Sequence, residues 1–273
     1  MRPGYIDCFA RIALCICLVV AVFAIPNGYR HYAIPFRLAK LHPHIFFRPD
    51  WELSLDLQTS EMIQEILSQP FTYVARGRQS FVFESQDGSY VLKLFRFDSY
   101  TPGKALISYV KKCLGKTLPR KICFLETLAA CKLSFDSLRD ETGIIWVHLN
   151  PRAGVWPSFQ VRDKLGFSHR IDPAKYRFVL QKRGEKMFRA LKKALREDRN
   201  AFQRMIQSFS FLLRAFAAKQ IAVVDSKMPS NFGFLGEEAI QLDFASNIHN
   251  PELSEIQIER FRDRKSTRLN SSH

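Results

Sequence analysis

"VVDSKMPSNFGFLGEEAIQLDFAS", Val223 to Ser246, sets two aspartates and an asparagine among apolar words. "VVD" closes a strand-like run, so Asp225 stands at a strand's edge. Lys227 follows by two residues and Asn231 by six, with Pro229 stiffening the loop between them. "NFGFL" leads to a turn at "GEE" and back through "AIQLD", the pattern of a hairpin. A hairpin there returns Asp243 to the neighbourhood of Asn231. An amide and a carboxylate at one point supply oxygen ligands of the kind Mg2+ takes. Asp225 would accept a proton from an incoming hydroxyl, and Lys227 would neutralise a transferred phosphoryl group. The plainer alternative makes Asp225 and Asn231 turn formers and Asp243 a helix cap.

Upstream the period is two. "FTYVARG", "QSFVFES" and "SYVLKLFRF" read as three strands with short links, which makes an antiparallel meander. Lys93 lies in the middle of the third strand with apolar neighbours on both faces. An ammonium enclosed in that way must snorkel or find a partner. Glu126, on a helix after the strand, is the best placed carboxylate; Asp136 and Glu141 lie nearer the helix end. Gly77, between Arg76 and Arg78 in the first hairpin, would let backbone amides approach a phosphate. The plainer alternatives are an edge-strand lysine and a turn glycine.

"TSEMIQEILSQP" predicts a short helix capped by Thr59 or Ser60, and "RKICFLETLAACKLSFDSL" predicts a longer one. Further strands are expected in "IIWVHLN" and between Pro157 and Gly184, giving a sheet of about five strands with a helical segment after the third. Two helices follow, the basic "EKMFRALKKAL" and the apolar "AFQRMIQSFSFLLRAFAAKQ". The class is therefore α+β.

In this order, the words resemble the protein-kinase-like superfamily in a divergent form. "VLKLF" resembles its V-A-I-K word, "DSK" its D-L-K word, and "LDFA" its D-F-G word. The resemblance covers about residues 71–246. It implies a two-lobed fold: an antiparallel sheet small lobe with an inserted helix (71–183), and a partial, mainly helical large lobe (184–262). It also implies ATP and Mg2+ as cofactors. Gly77 would cover the nucleotide phosphates, Lys93 would hold them while paired with Glu126, Asn231 and Asp243 would hold the metal, and Asp225 with Lys227 would act in transfer to an acceptor not named by the sequence. Only one glycine stands in the first hairpin, and Ala245 stands where the family has glycine. An inactive pseudokinase that binds without turnover is the alternative.

The chain has 273 residues and a formal net charge of +15, which favours anionic partners. No base-reading motif accompanies the basic residues, which argues against nucleic acid. A third reading is a membrane-associated basic protein that binds a partner or anionic lipid without nucleotide. The six cysteines form no CxxC pair, so neither a zinc site nor a disulfide framework is expected. Segment 1–26 reads as a secretory signal peptide or a membrane anchor. It predicts a membrane-associated protein, or a secreted one if the segment is cleaved. Residues 27–70 read as a linker and lead-in helix. Residues 263–273, "DRKSTRLNSSH", resemble translated sequencing adapter, which predicts a C-terminally truncated chain.

Overall fold

The structure is a computed structural model, and it describes residues 36–41, 47–96, 124–224 and 230–252. The first helix, α1 (Leu57–Ser68), starts before the cap expected at Thr59. Asp56 takes that role, accepting the Thr59 amide at 2.8 Å and the Thr59 hydroxyl at 2.6 Å. Ile63, Ile66 and Leu67 form its buried stripe.

The predicted meander follows as β1 (Phe71–Arg76), β2 (Ser80–Ser85) and β3 (Tyr90–Phe95). After α2 (Phe124–Ser137) and the single turn α3 (Arg139–Thr142) come β4 (Ile144–His148), β5 (Phe159–Arg162), β6 (Ser168–Ile171) and β7 (Phe178–Lys182). These seven strands form one sheet in the order β4-β7-β3-β2-β1-β5-β6. The sheet thus has seven strands where about five were expected, with three rather than two between Pro157 and Gly184, and the β5–β6 hairpin joins the outer edge of β1 through a parallel pairing. The fold is α+β, and its large sheet is mostly antiparallel.

Alternation divides the large sheet into two faces. Lys93 stands opposite Val82 on β2 and Val179 on β7, so those side chains share a face. Helix α2 lies on that face, where Phe124 meets Phe95 edge-on at 6.3 Å. The opposite face presents Phe81, Phe83, Leu92, Leu94, Phe178 and Leu180, all fully buried. Phe36 covers it edge-on to Phe81 and Phe83 at 5.1 and 5.0 Å, and Phe159 covers it against Phe178 at 5.5 Å. The lead-in segment and the extra hairpin therefore supply the second apolar layer that this face needs.

A second cluster lies downstream. The two-residue strand β8 (Glu185–Lys186) leads into α4 (Met187–Glu197) and α5 (Arg199–Ala218). These helices pack on β9 (Ile221–Val223) and on the hairpin of β10 (Phe232–Leu235) and β11 (Glu238–Gln241). The last strand, β12 (Asn247–His249), returns antiparallel to β9. Met187, Ala190, Met205, Leu212, Phe216 and Phe232 carry this core.

The expected membrane association or secretion through the apolar N-terminal segment requires correction. Among the described residues, no helix is long and apolar enough to cross a membrane. Segment 1–26 itself lies outside the described residues, as does 253–273, so the structure gives that localisation no support.

Candidate functional site

The hairpin read from "NFGFLGEEAIQLD" forms, with Phe232 opposite Gln241 and Leu235 opposite Glu238. Gly236 supplies the positive φ of 63° that the tight turn requires. Asn231 precedes β10 and Asp243 follows β11, so the two ends of the hairpin meet. The Asn231 carbonyl accepts the amide of Leu242 at 2.6 Å and that of Asp243 at 3.1 Å. Beyond Asp243, Ser246 accepts the Val224 amide at 3.1 Å, which extends the β9–β12 pairing. The chain thus enters and leaves the opening stretch through paired strands.

Lys93 comes to this hairpin from the large sheet. Its ammonium donates to the Leu242 carbonyl and lies 4.4 Å from the centre of the Phe244 ring. Burial lowers the Lys93 pKa, and the neighbouring Asp243 charge opposes that shift. Cys131, on α2, faces the same ammonium; burial pushes its thiol up to about 12. Lys93 and Asp243 therefore share one electrostatic neighbourhood, one residue from strand β3 and the other from the end of β11.

Asn231 is 4% exposed, and its Nδ2 has no hydrogen-bond partner among the described residues. As placed, its Oδ1 accepts from the Ser230 hydroxyl at 3.4 Å. A carboxamide is two-fold in shape, and reversing it lets Nδ2 donate to Ser230 and frees Oδ1. The amide oxygen of Asn231 and the exposed carboxylate of Asp243, at the two joined ends of the hairpin, are oxygen donors of the kind a hard cation takes.

Glu126 sits on the first turn of α2, exposed, and helps line a hollow of about 60 Å³ with Ala130, Val224, Ala245, Asn247 and Ile248. It approaches the segment after Asp243 rather than standing among the groups around the Lys93 ammonium, where α2 presents Cys131. Asp136 and Glu141 are taken by Lys132 and Lys219. Gly77 closes the β1–β2 hairpin, its amide donating to Ser80 at 2.8 Å. Its carbonyl accepts from Arg96 Nη1 at 2.6 Å, so the loop is tied to the end of β3. Asp225 and Lys227 lie outside the described residues.

A buried polar clamp was not anticipated from the sequence. Gln241 and Asn247 exchange two amide hydrogen bonds, both of 2.7 Å, and so bracket the loop that carries Asp243. Asn247 also donates to Ser134 on α2 at 2.9 Å, and Gln181 on β7 donates to the Gln241 carbonyl at 2.9 Å. The available signal was a glutamine at an inward strand position in "AIQLD" and another in "FVLQK". A separate cavity of about 390 Å³ lies between Trp51–Leu55 and Trp146–Val155, next to His148 on the sheet face opposite Lys93.

No protein-family model matches the chain, and no curated protein does. Among solved structures, it is similar to WbdD in co-crystal with the kinase inhibitor LY294002, at 16% identity and a TM-score of 0.30. That alignment covers 65% of this chain and 33% of WbdD, so the chain spans about a third of that protein's length. It is also similar to Rv3197 of Mycobacterium tuberculosis, in complex with erythromycin, at 14% identity and a TM-score of 0.33, covering 91% of this chain and 68% of that one. At these scores the alignments carry no argument about function, which rests on the residues themselves.

Proposed function

We propose that the chain is a divergent, kinase-like phosphotransferase that uses ATP and Mg2+. The observation that carries this reading is the meeting of Lys93, Asn231 and Asp243. The strand-borne ammonium of Lys93 donates to the carbonyl of Leu242, the residue before Asp243, and the Asn231 carbonyl accepts the Asp243 amide. In this reading Lys93 exchanges the Leu242 carbonyl for nucleotide phosphate oxygens. Asn231 and Asp243 hold the cation, which supplies charge neutralisation between phosphates when bound. Gly77 covers the phosphates, Glu126 orients Lys93 in the nucleotide-bound state, Asp225 takes the acceptor's proton, and Lys227 steadies the transferred group. The sheet-bearing part, 71–183, and the helical part, 184–262, act as two lobes around the nucleotide.

A second reading, nucleotide binding without turnover, is favoured by one feature: Lys93 is already satisfied by Leu242 and the Phe244 ring. Both readings predict Mg2+-dependent binding of a fluorescent ATP analogue that Lys93→Met abolishes and Asp243→Asn uncouples from Mg2+. They separate at transfer. Release or transfer of the γ-phosphate, lost in Asp225→Ala while binding persists, supports the enzyme. No Mg2+-dependent nucleotide binding by the wild-type chain would overturn both.

A further inference from the structure

The exposed side of α4 has no role in the nucleotide reading. Met187, Ala190 and Ala194 turn inward, with Leu191 packed at the margin. Helical spacing then sets Arg189, Lys192 and Arg196 in a line along the solvent side. Phe188 and Leu195 border that line on one flank, and Lys193 stands on the other. Phe188 is 69% exposed and Leu195 57% exposed. What sets this face apart is the combination of two open apolar side chains with a line of cations on one helix. Of the four cations, Arg189 is paired with Glu185 at 3.0 Å. Lys192, Lys193 and Arg196 have no ion-pair partner among the described residues.

We propose that this face docks an acidic protein segment that carries apolar anchors two helical turns apart. Phe188 and Leu195 are seven residues apart, about 10.5 Å along the axis at 1.5 Å per residue. A partner helix with apolar residues at the same interval, flanked by glutamates or aspartates, buries both side chains and meets the cations at once. A nucleic-acid backbone would satisfy the cations but leave the aliphatic Leu195 against phosphates, so the apolar flank selects a peptide. This surface is independent of the nucleotide reading and stands or falls without it.

The test uses the full chain and a short fluorescein-labelled peptide of glutamates with leucines at seven-residue intervals, read by fluorescence anisotropy. A peptide of the same composition with scattered leucines, and a single-stranded RNA, are the comparisons. The periodic peptide binds the wild type, more tightly at low than at physiological salt. It loses affinity about ten-fold or more to Lys192→Glu/Lys193→Glu/Arg196→Glu, and similarly to Phe188→Ser/Leu195→Ser. Unchanged far-UV circular dichroism in both variants separates lost docking from lost folding. A fold-disrupting triple variant is replaced by single reversals of Lys192 and Arg196, which must each weaken binding. Equal binding of the two peptides, tighter binding of RNA, unchanged affinity in the variants, or no binding at all overturns the proposal.

Discussion

Lys93 shows how a strand position can force chemistry. Alternation commits its side chain to an apolar face, and the fold answers with a carbonyl, an aromatic ring and a nearby carboxylate. Each of those partners comes from Leu242–Phe244, which explains why the lysine and the hairpin had to be read together. His148 meets the same constraint differently. Its Nε2 is 2.8 Å from the Pro173 carbonyl, which can only accept, so that nitrogen carries a proton. Its ring stacks on Phe178 at 4.9 Å. Burial, against the Pro173 bond and with the Arg177 charge, pushes the second protonation down from 6.5 to about 4. Between those values the unfolded chain binds the extra proton and the folded chain does not. The contribution is therefore complete above pH 6.5 and declines as pH falls, by about 3 kcal/mol at pH 4. His148→Asn should flatten this part of the curve. Urea midpoints measured from pH 7 to pH 4 check it, and equal slopes for variant and wild type would refute the assignment.

Glycines decide whether the hairpin can seat. A Cβ added at Gly233 would lie 2.2 Å from the Glu185 carbonyl oxygen and 2.6 Å from Leu242 Cδ1. Gly233 is thus what lets β8 pair with β10, two residues after Asn231, which begins the candidate site. Gly233→Ala should cost about 3 kcal/mol, since backbone must move. Gly154→Ala is the contrast: it meets nothing within 4 Å and bears only the strain of φ +79°, about 1 kcal/mol. Urea unfolding of the two variants gives the ranking, and the reverse order would contradict the close approach. The elements themselves were mostly readable because their periods are clean. The three-strand meander and the β10–β11 hairpin announce themselves by alternation and turn residues. The parallel joint between β1 and β5 could not be read, because pairing between distant strands leaves no local pattern. The α1 cap was misread for a related reason: Asp56, Thr59 and Ser60 are all good caps, and tertiary packing of Ile63 and Leu67 selects among them. Around the site, the Asn231–Asp243 approach followed from hairpin geometry. Which α2 side chain would face Lys93 did not, because helix rotation is set by burial of Leu128, Cys131 and Phe135 in the core.

The two apolar clusters are joined through polar atoms as well as apolar contact. Gln181 and Ser134 belong to the β7 and α2 side, while Gln241 and Asn247 flank the Asp243 loop, and every one of these side chains is buried. Alternation marks Gln181 and Gln241 as inward polar residues, but no local pattern says that Ser134 and Asn247, which lie among other polar residues, are their partners. Its consequence is for cooperativity. The chain's three tryptophans, Trp51, Trp146 and Trp156, all lie in the first cluster. Helices α4 and α5 lie in the second. Tryptophan emission therefore reports the first cluster alone, whereas far-UV circular dichroism reports the helices of both, α1 and α2 in the first and α4 and α5 in the second. With the clamp intact the wild type should give coincident urea transitions by both signals. Asn247→Ala strands both ends of the buried Gln241 amide and removes the bond to Ser134, a loss of about 3 kcal/mol. The cost falls on the joint rather than on either core, so the circular dichroism midpoint should drop below the emission midpoint. Coincident midpoints in Asn247→Ala, shifted together, would mean that apolar contact alone couples the two clusters.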